Sequence, residues 1–233
     1  MERVVVQQPD FDRLLDPSPM ALEMGHERLE NGVLHVACRT DMHECSGAMF
    51  EWWFRFRPDT QHYIWWHPLD HVSSEWLEGE DGTHVGSIHK VEESFSGTPA
   101  RQILIQFRDP SEFFSPGALD AARRAGHFSA LVCGRGGESW SAPRDAAGRM
   151  VGTRMLHVAR DAPWGCVLRS HFFLGHDLPS LGKTPTEIRA LIPEAAAPAL
   201  LAHCYNEFTF LSRFLPSLFV AENRAVRPVA LPW

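Results

Sequence analysis

EAAAPALLAHCYNEFTFLSRFL, residues 194–215, is the stretch on which the fold turns. Ala and Leu are strong helix formers, and Leu200, Cys204, Phe208 and Leu211 recur at helical spacing, which draws one apolar stripe along the helix. Pro198 is tolerable only near a first turn, so the regular helix is expected to start close to it. Pro216 is expected to mark the other end. His203 and Glu207 stand four residues apart beside this stripe. Four residues correspond to ~400° of rotation, so the two side chains share a face. That spacing lets one helix offer two ligands to one divalent metal. It also occurs as an ordinary solvated pair. Here the neighbours are apolar, and a carboxylate turned inward is costly unless it is paired or bound to a metal.

Upstream of this helix the pattern changes from a period of 3.6 to a period of 2. Residues 31–39, 84–95, 101–107, 127–134, 151–160 and 164–175 are each of strand length, and Gly, Pro and Asp clusters separate them. The Asp-Ala-Pro break between the last two predicts a hairpin. GAMFEWWFRF, 47–56, places Met49, Trp52, Trp53 and Phe56 at helical spacing, and Pro58 ends it. One early helix, a run of antiparallel strands and a long terminal helix read as an α+β fold. A curved sheet around the terminal helix would enclose a cavity. Residues 1–30, with prolines at 9, 17 and 19, read as an N-terminal arm with little core of its own. Residues 31–222 read as the main domain and 223–233 as a tail.

Composition narrows the function classes. Eleven per cent aromatic residues in 233 can build a large core, which excludes disorder as the main state. No run of ~18 apolar residues predicts a transmembrane helix. The net charge is −7, only two of the 22 basic residues are lysines, and no basic block occurs, so nucleic acid is not an expected partner. Five cysteines without a CxxC argue against a disulfide framework or a Cys-rich zinc site. The N-terminus lacks the layout of a secretory signal, and a cytoplasmic protein with reduced thiols is expected.

YIWWHPLDHVSSEW, 63–76, is the segment densest in chemistry. Pro68 breaks regularity, so His67 and His71 are expected on a loop or at a helix start. His71 and the pair Glu92-Glu93 are candidates to complete a site with His203 and Glu207. Adjacent strand residues face opposite ways, so only one of the two glutamates can look inward. Such donors suit zinc, and also manganese or iron. Asp70 is a candidate to orient His71 through its other ring nitrogen, and equally a candidate to cap the loop. The tryptophans at 52, 53, 65, 66 and 76 are expected mainly in the core, with one or two lining a pocket for a planar ligand.

GAMFEWWFRF, YIWWHPLDH, HKVEESFSG, LHVARDAPWGCVLRSHFFLG and LIPEAAAPALLAHCYNEFTFLSRFLP together resemble the 2,4-diacetylphloroglucinol hydrolase and phloretin hydrolase family, from about residue 40 to about residue 220. The resemblance implies a helix-grip fold like that of the Bet v 1 and START proteins. It implies zinc-dependent hydrolysis of a carbon–carbon bond between an acyl group and an aromatic ring, with one zinc held by two histidines and two glutamates. Carried over position by position, the ligands fall on His71, Glu93 (Glu92 as the fallback), His203 and Glu207. A tyrosine that can hydrogen-bond a phenolic oxygen falls on Tyr63, and His67, four residues before His71, is a second candidate for a catalytic role, as a substrate contact, a support behind the ligands or itself a ligand, or else a histidine that holds the loop by hydrogen bonds. The implied partner is a small aromatic or β-diketone-like ketone, and a homodimer with the N-terminal arm as a contact is compatible with the family. The chain departs from the phenol-cleaving members by lacking a further tyrosine in the later strands, since its two tyrosines are Tyr63 and Tyr205. The metal site therefore carries over further than the substrate does. The rival expectation is a helix-grip protein that only binds an apolar or aromatic molecule, because fold does not fix function. A metal-dependent lyase or isomerase on the same residues is a second rival. Metal content separates the first of these from a hydrolase, and product analysis separates the second.

Overall fold

The computed structural model describes residues 9–224; of the expected tail, 225–233 lie outside the described residues. Eight strands form one antiparallel sheet: β1 (Gly25–Arg28), β2 (Leu34–His43), β3 (His71–Leu77), β4 (Ile88–Glu93), β5 (Arg101–Arg108), β6 (Ala130–Glu138), β7 (Thr153–Ala162) and β8 (Gly165–Leu174). Their spatial order is β1-β2-β8-β7-β6-β5-β4-β3. The helices are α1 (Gly47–Phe56), α2 (Thr60–Trp66), α3 (Pro116–Arg124), α4 (Pro185–Leu191), α5 (Ala196–Ser212) and α6 (Leu215–Asn223).

The sheet is strongly curved, and α5 shows it. This helix packs on β1 and β2 at one end of the strand order. Its His203 and Glu207 also reach His71 on β3 and Glu93 on β4 at the other end. Flat strands spaced about 4.8 Å apart would leave β2 and β3 roughly 29 Å from each other. A helix about 10 Å across touches both only if the sheet wraps around it. This is the helix-grip arrangement. Its interior holds Leu34, Val36 and Met42 of β2, Phe50, Trp53 and Phe54 of α1, Phe107 of β5, and Cys204, Phe208 and Leu211 of α5. The predicted apolar stripe is thus the face that the sheet grips.

Two boundaries differ from the sequence reading. The long helix stops at Ser212, and Pro216 does not end it but stands in the first turn of α6, where a missing N–H costs nothing. Of the expected arm, residues 1–8 lie outside the described residues, and 9–30 have more core than their prolines suggest. Phe11, Leu14 and Leu15 form a 3-10 turn buried against Leu131, Leu156, Val158 and Phe173 on the outer face of the sheet. Arg169 ties this segment down by donating to the carbonyls of Asp16 and Ser18 and to the Glu23 carboxylate. β1 then joins the sheet edge. The β7–β8 hairpin forms as expected, with Ala162 opposite Gly165. α3 and β3 have no counterpart in the sequence reading. Among the described residues no helix is long and apolar enough to cross a membrane.

Candidate metal centre

Local structure explains how the HPLDH segment delivers its side chains. Asp59 caps α2 through the His62 N–H, and Pro68 prevents the helix from continuing past His67. The chain turns tightly, with the N–H of His71 donating to the His67 carbonyl, and enters β3 at His71. A register irregularity follows between His71 and Ser73. His71 is therefore the first residue of a strand and lies directly opposite Glu93, the last residue of β4. His67 is the C-cap that follows α2 and begins the loop, whereas His71, expected on a loop or at a helix start, opens a strand.

Four buried side chains converge. The His71 Nε2 lies 3.5 Å from Glu93 Oε2 and 3.8 Å from Glu207 Oε2. The His203 Nε2 lies 3.7 Å from Glu93 Oε2 and 4.0 Å from Glu207 Oε2. Donor atoms of His71, His203 and Glu207 all fall within 4.8 Å of one another. Glu93 is buried, whereas Glu92 is only half-buried on the opposite face of β4. The structure thus brings His71, Glu93, His203 and Glu207 to one point and leaves Glu92 out.

The other ring nitrogen of each histidine is already engaged. The His71 Nδ1 donates to the Tyr63 carbonyl at 2.8 Å. The His203 Nδ1 donates to Asp70 Oδ2 at 3.0 Å. Asp70 therefore turns to His203 and not to His71, because the turn carries its carboxylate away from the adjacent ring, while the equally expected loop-capping role is met by the bonds that follow. Asp70 also accepts from the Ser94 hydroxyl at 3.0 Å and the Ser96 N–H at 3.3 Å. These partners hold its carboxyl below the ordinary range, the His203 bond foremost. Burial works against charge on His203, but Asp70, Glu93 and Glu207 outweigh it and push the imidazole up to about 9. Burial drives Glu207 up to about 8 and His71 well down.

This donor set fits a metal ion. The His71 Nε2 is buried without a hydrogen-bond partner, an expensive arrangement unless something occupies the point it faces. Tetrahedral ligands about 2.0–2.2 Å from a common centre lie roughly 3.3–3.6 Å from each other, close to the separations found. Each imidazole is backed by a carbonyl or carboxylate, as ligating histidines commonly are.

Tyr63 and His67 flank the centre. The Tyr63 hydroxyl donates to Glu93 Oε2 at 2.5 Å, and its ring stacks on His71 with centroids 3.6 Å apart. Burial, with the Glu93 charge, keeps that hydroxyl protonated well above the usual range. His67 stacks on His203 at 4.7 Å and accepts the Asp70 N–H through Nδ1. Burial lowers its imidazole to about 4. Trp53 and Trp66 are buried as expected, and Trp66 sets its edge against His71. Trp65 departs from the core reading and stands half exposed.

Two interior pairs were not singled out from sequence. The His89 Nε2 meets the Ser74 hydroxyl at 2.8 Å, and the His157 Nδ1 meets the Ser170 hydroxyl at 2.7 Å. A signal existed for both: His89 lies four residues before Glu93 on the same strand face, and His157 alternates with apolar Leu156 and Val158. A surface cleft of about 710 Å³, lined by Met24, Arg39, Tyr205 and Arg213 among others, touches none of the four converging residues.

The chain belongs to the family described as DAPG hydrolase PhiG domain, whose model matches residues 6–220. A 2,4-diacetylphloroglucinol hydrolase of Pseudomonas sp is 26% identical, with 90% of this chain and 75% of that protein covered. Another of that name, from Pseudomonas protegens, is also 26% identical, covering 90% of this chain and 72% of its own length. Among solved structures, Ara h 8.0201 aligns with a TM-score of 0.48 at 14% identity, over 80% of this chain and 99% of that one.

Proposed function

We propose that this chain is a zinc-dependent hydrolase that cleaves the carbon–carbon bond between an acyl group and an aromatic ring, or the like bond of a β-diketone. The observation that carries the reading is the convergence of His71, Glu93, His203 and Glu207, with the partnerless His71 Nε2 at its centre. A set of two imidazoles and two carboxylates suits zinc and leaves no need for a thiolate. The named activity of the two Pseudomonas relatives supports the reaction class. Bound there, zinc would supply Lewis acidity toward a carbonyl and would acidify water.

The chain's own residues do the rest. Half-buried Phe95, with its ring 4.8 Å from that of His203, offers an apolar surface beside the centre to a planar ring. Glu93 and Glu207 aim carboxyl oxygens at the point where a proton must leave water, and a bound cation would favour the charged form of Glu207 that burial opposes. Hydrolysis adds the water oxygen to the acyl carbon and one of its hydrogens to the ring carbon, so an acid has to reach that carbon. Burial keeps His67 at about 4. It is therefore neutral at pH 7 and a poor acid. Water in the site is the better proton source, and His67 acts beside it.

The interior-facing residues of β7 and β8 include Met155, His157, Ala159, Cys166, Leu168, Ser170, Phe172 and Leu174, without a tyrosine. A polyphenol ring needs a partner for each oxygen, and each buried oxygen left alone costs about 1–3 kcal/mol. The natural substrate is therefore a less hydroxylated or bulkier aryl ketone than diacetylphloroglucinol. The test is a panel of acyl phenols, dihydrochalcones and β-diketones, compared by kcat/KM with products identified, on protein of measured metal content. Best turnover of diacetylphloroglucinol would refute the substrate assignment. A protein that takes up no zinc and only binds the panel would refute the enzyme.

A further inference from the structure

We infer that Phe95 is a specificity-determining residue, the wall beside the metal centre that selects a flat aromatic ketone over an aliphatic β-diketone. The inference rests on the hydrolase reading above and narrows its substrate to the aryl class.

Phe95 stands two residues past Glu93. Side chains two apart on a strand share a face, and Phe95 keeps to the ligand's side: its ring centroid lies 4.8 Å from that of His203, with 46° between the planes. One residue seats the turn that bears it. The Ser94 N–H donates to the Asp70 carbonyl at 2.8 Å, the Ser94 hydroxyl to Asp70 Oδ1 at 3.0 Å and the Ser96 N–H to Asp70 Oδ2 at 3.3 Å. The same Oδ2 accepts from the His203 Nδ1. A single carboxylate thus sets both the ligand ring and the turn that lays Phe95 against it. Thr98 closes the turn, its hydroxyl accepting the Phe95 N–H at 3.1 Å.

Packing sets Phe95 apart from the other large apolar side chains. It is half-buried, yet it belongs to none of the three apolar clusters found among the described residues. His203 is its one aromatic neighbour among those residues. A phenylalanine held by a bonded turn, and not by the core, keeps ring surface to offer beside a buried polar centre. Ligand sites join such aromatic walls to a few polar groups that fix orientation, and the four converging donors are those groups here. An aryl ring set against Phe95 gains an aromatic pair as well as buried area, whereas an aliphatic diketone gains area alone. Phe210 supplies the contrast. It stands three residues past Glu207 and also lies outside the clusters, but its ring is already engaged by the His67 ring at 5.6 Å and the Arg213 guanidinium at 5.1 Å.

Phe95→Ala, Phe95→Leu and Phe210→Ala are compared with wild type on 2-hydroxyacetophenone and acetylacetone. Dissociation constants for both are measured by calorimetry, kcat/KM for both at saturating zinc, and zinc affinity by chelator competition. Phe95→Ala should weaken 2-hydroxyacetophenone relative to acetylacetone by about 3–10-fold, in binding and in kcat/KM alike. Phe95→Leu keeps bulk and loses the flat ring, so it should shift the ratio in the same direction. Zinc affinity should stay within twofold of wild type in both, and Phe210→Ala should leave the ratio within twofold. An unchanged ratio in Phe95→Ala, an equal shift in Phe210→Ala, or a loss of zinc that accounts for the fall would overturn the assignment. Binding of 2-hydroxyacetophenone that depends on Phe95, in a protein that cleaves neither probe, would uphold the wall and refute the hydrolase.

Discussion

Replacing Asp70 by asparagine isolates what one carboxylate behind His203 contributes. The substitution keeps the side chain's shape and can keep an oxygen toward the His203 Nδ1, now 3.0 Å away. It removes the negative charge. Adding that hydrogen bond, the width of an imidazole and a metal–nitrogen bond puts Asp70 roughly 6.5 Å from the ion. Two unit charges at about that distance, with an effective dielectric constant near 20, interact by about 2.5 kcal/mol. Glu93 and Glu207 neutralise most of the ion's charge, so this is an upper scale. Weaker binding by about 10–100-fold, or about 1.4–2.7 kcal/mol, is expected. The amide also turns an N–H toward donors that Asp70 now accepts, the Ser94 hydroxyl among them. Ser94→Ala, which deletes one neutral bond, is the control and should cost less than tenfold. The assay is competition for zinc against a chelator of known affinity. If Asp70→Asn binds zinc within twofold of wild type, the carboxylate does not orient His203 toward a metal.

Other outcomes follow from the same structure. His203→Ala should lose metal and activity together, and full metal occupancy in that variant would refute the ligand set. Glu93→Ala and Glu92→Ala should differ sharply in metal content, with only the former losing it, because their side chains face opposite ways. Gly47 opens α1 where an added Cβ would come within 2.2 Å of the Ser129 hydroxyl. Gly47→Ala should therefore cost about 1–3 kcal/mol, read as a fall of several degrees in Tm. Asp177 is opposed by burial, yet the His176 side chain, the Gly152 N–H and Arg154 hold its carboxyl below the ordinary value of 3.8. A depressed carboxylate stabilises above its unfolded pKa and loses that contribution as pH falls through its folded one. Asp177→Asn should thus be about 3 kcal/mol less stable than wild type in urea at pH 6, and the gap should narrow below pH 4.

Periodicity made much of the fold legible. The α5 stripe, α1 and the β7–β8 hairpin follow from spacing and turn chemistry, because each is decided by residues close in sequence. β3 was hidden because its residues alternate Ser, Glu and Val with only half burial, as befits a sheet edge covered by a helix. The packing of Phe11–Leu15 was hidden because its partners, Leu131, Leu156 and Phe173, lie more than a hundred residues away. Pattern alone offered His203 with Glu207, and His71 with either Glu92 or Glu93, as candidates; the family resemblance chose Glu93. What sequence could not settle was which histidine Asp70 would serve. That depends on a turn geometry in which neighbouring side chains part, and not on adjacency along the chain.

The wrap of the sheet has a consequence for assembly. His71 and Glu93 belong to one terminal hairpin of the sheet, while His203 and Glu207 ride on a helix seated at the opposite margin. Between the two pairs the chain must lay down β5, β6, β7 and β8. The point where these four side chains meet is thus a seam between an earlier pair, His71 and Glu93, and a later pair, His203 and Glu207, and neither pair alone supplies all four donors. A bound metal would act as a buckle: it fastens only when the whole belt has closed, and its retention reports on the integrity of every strand between.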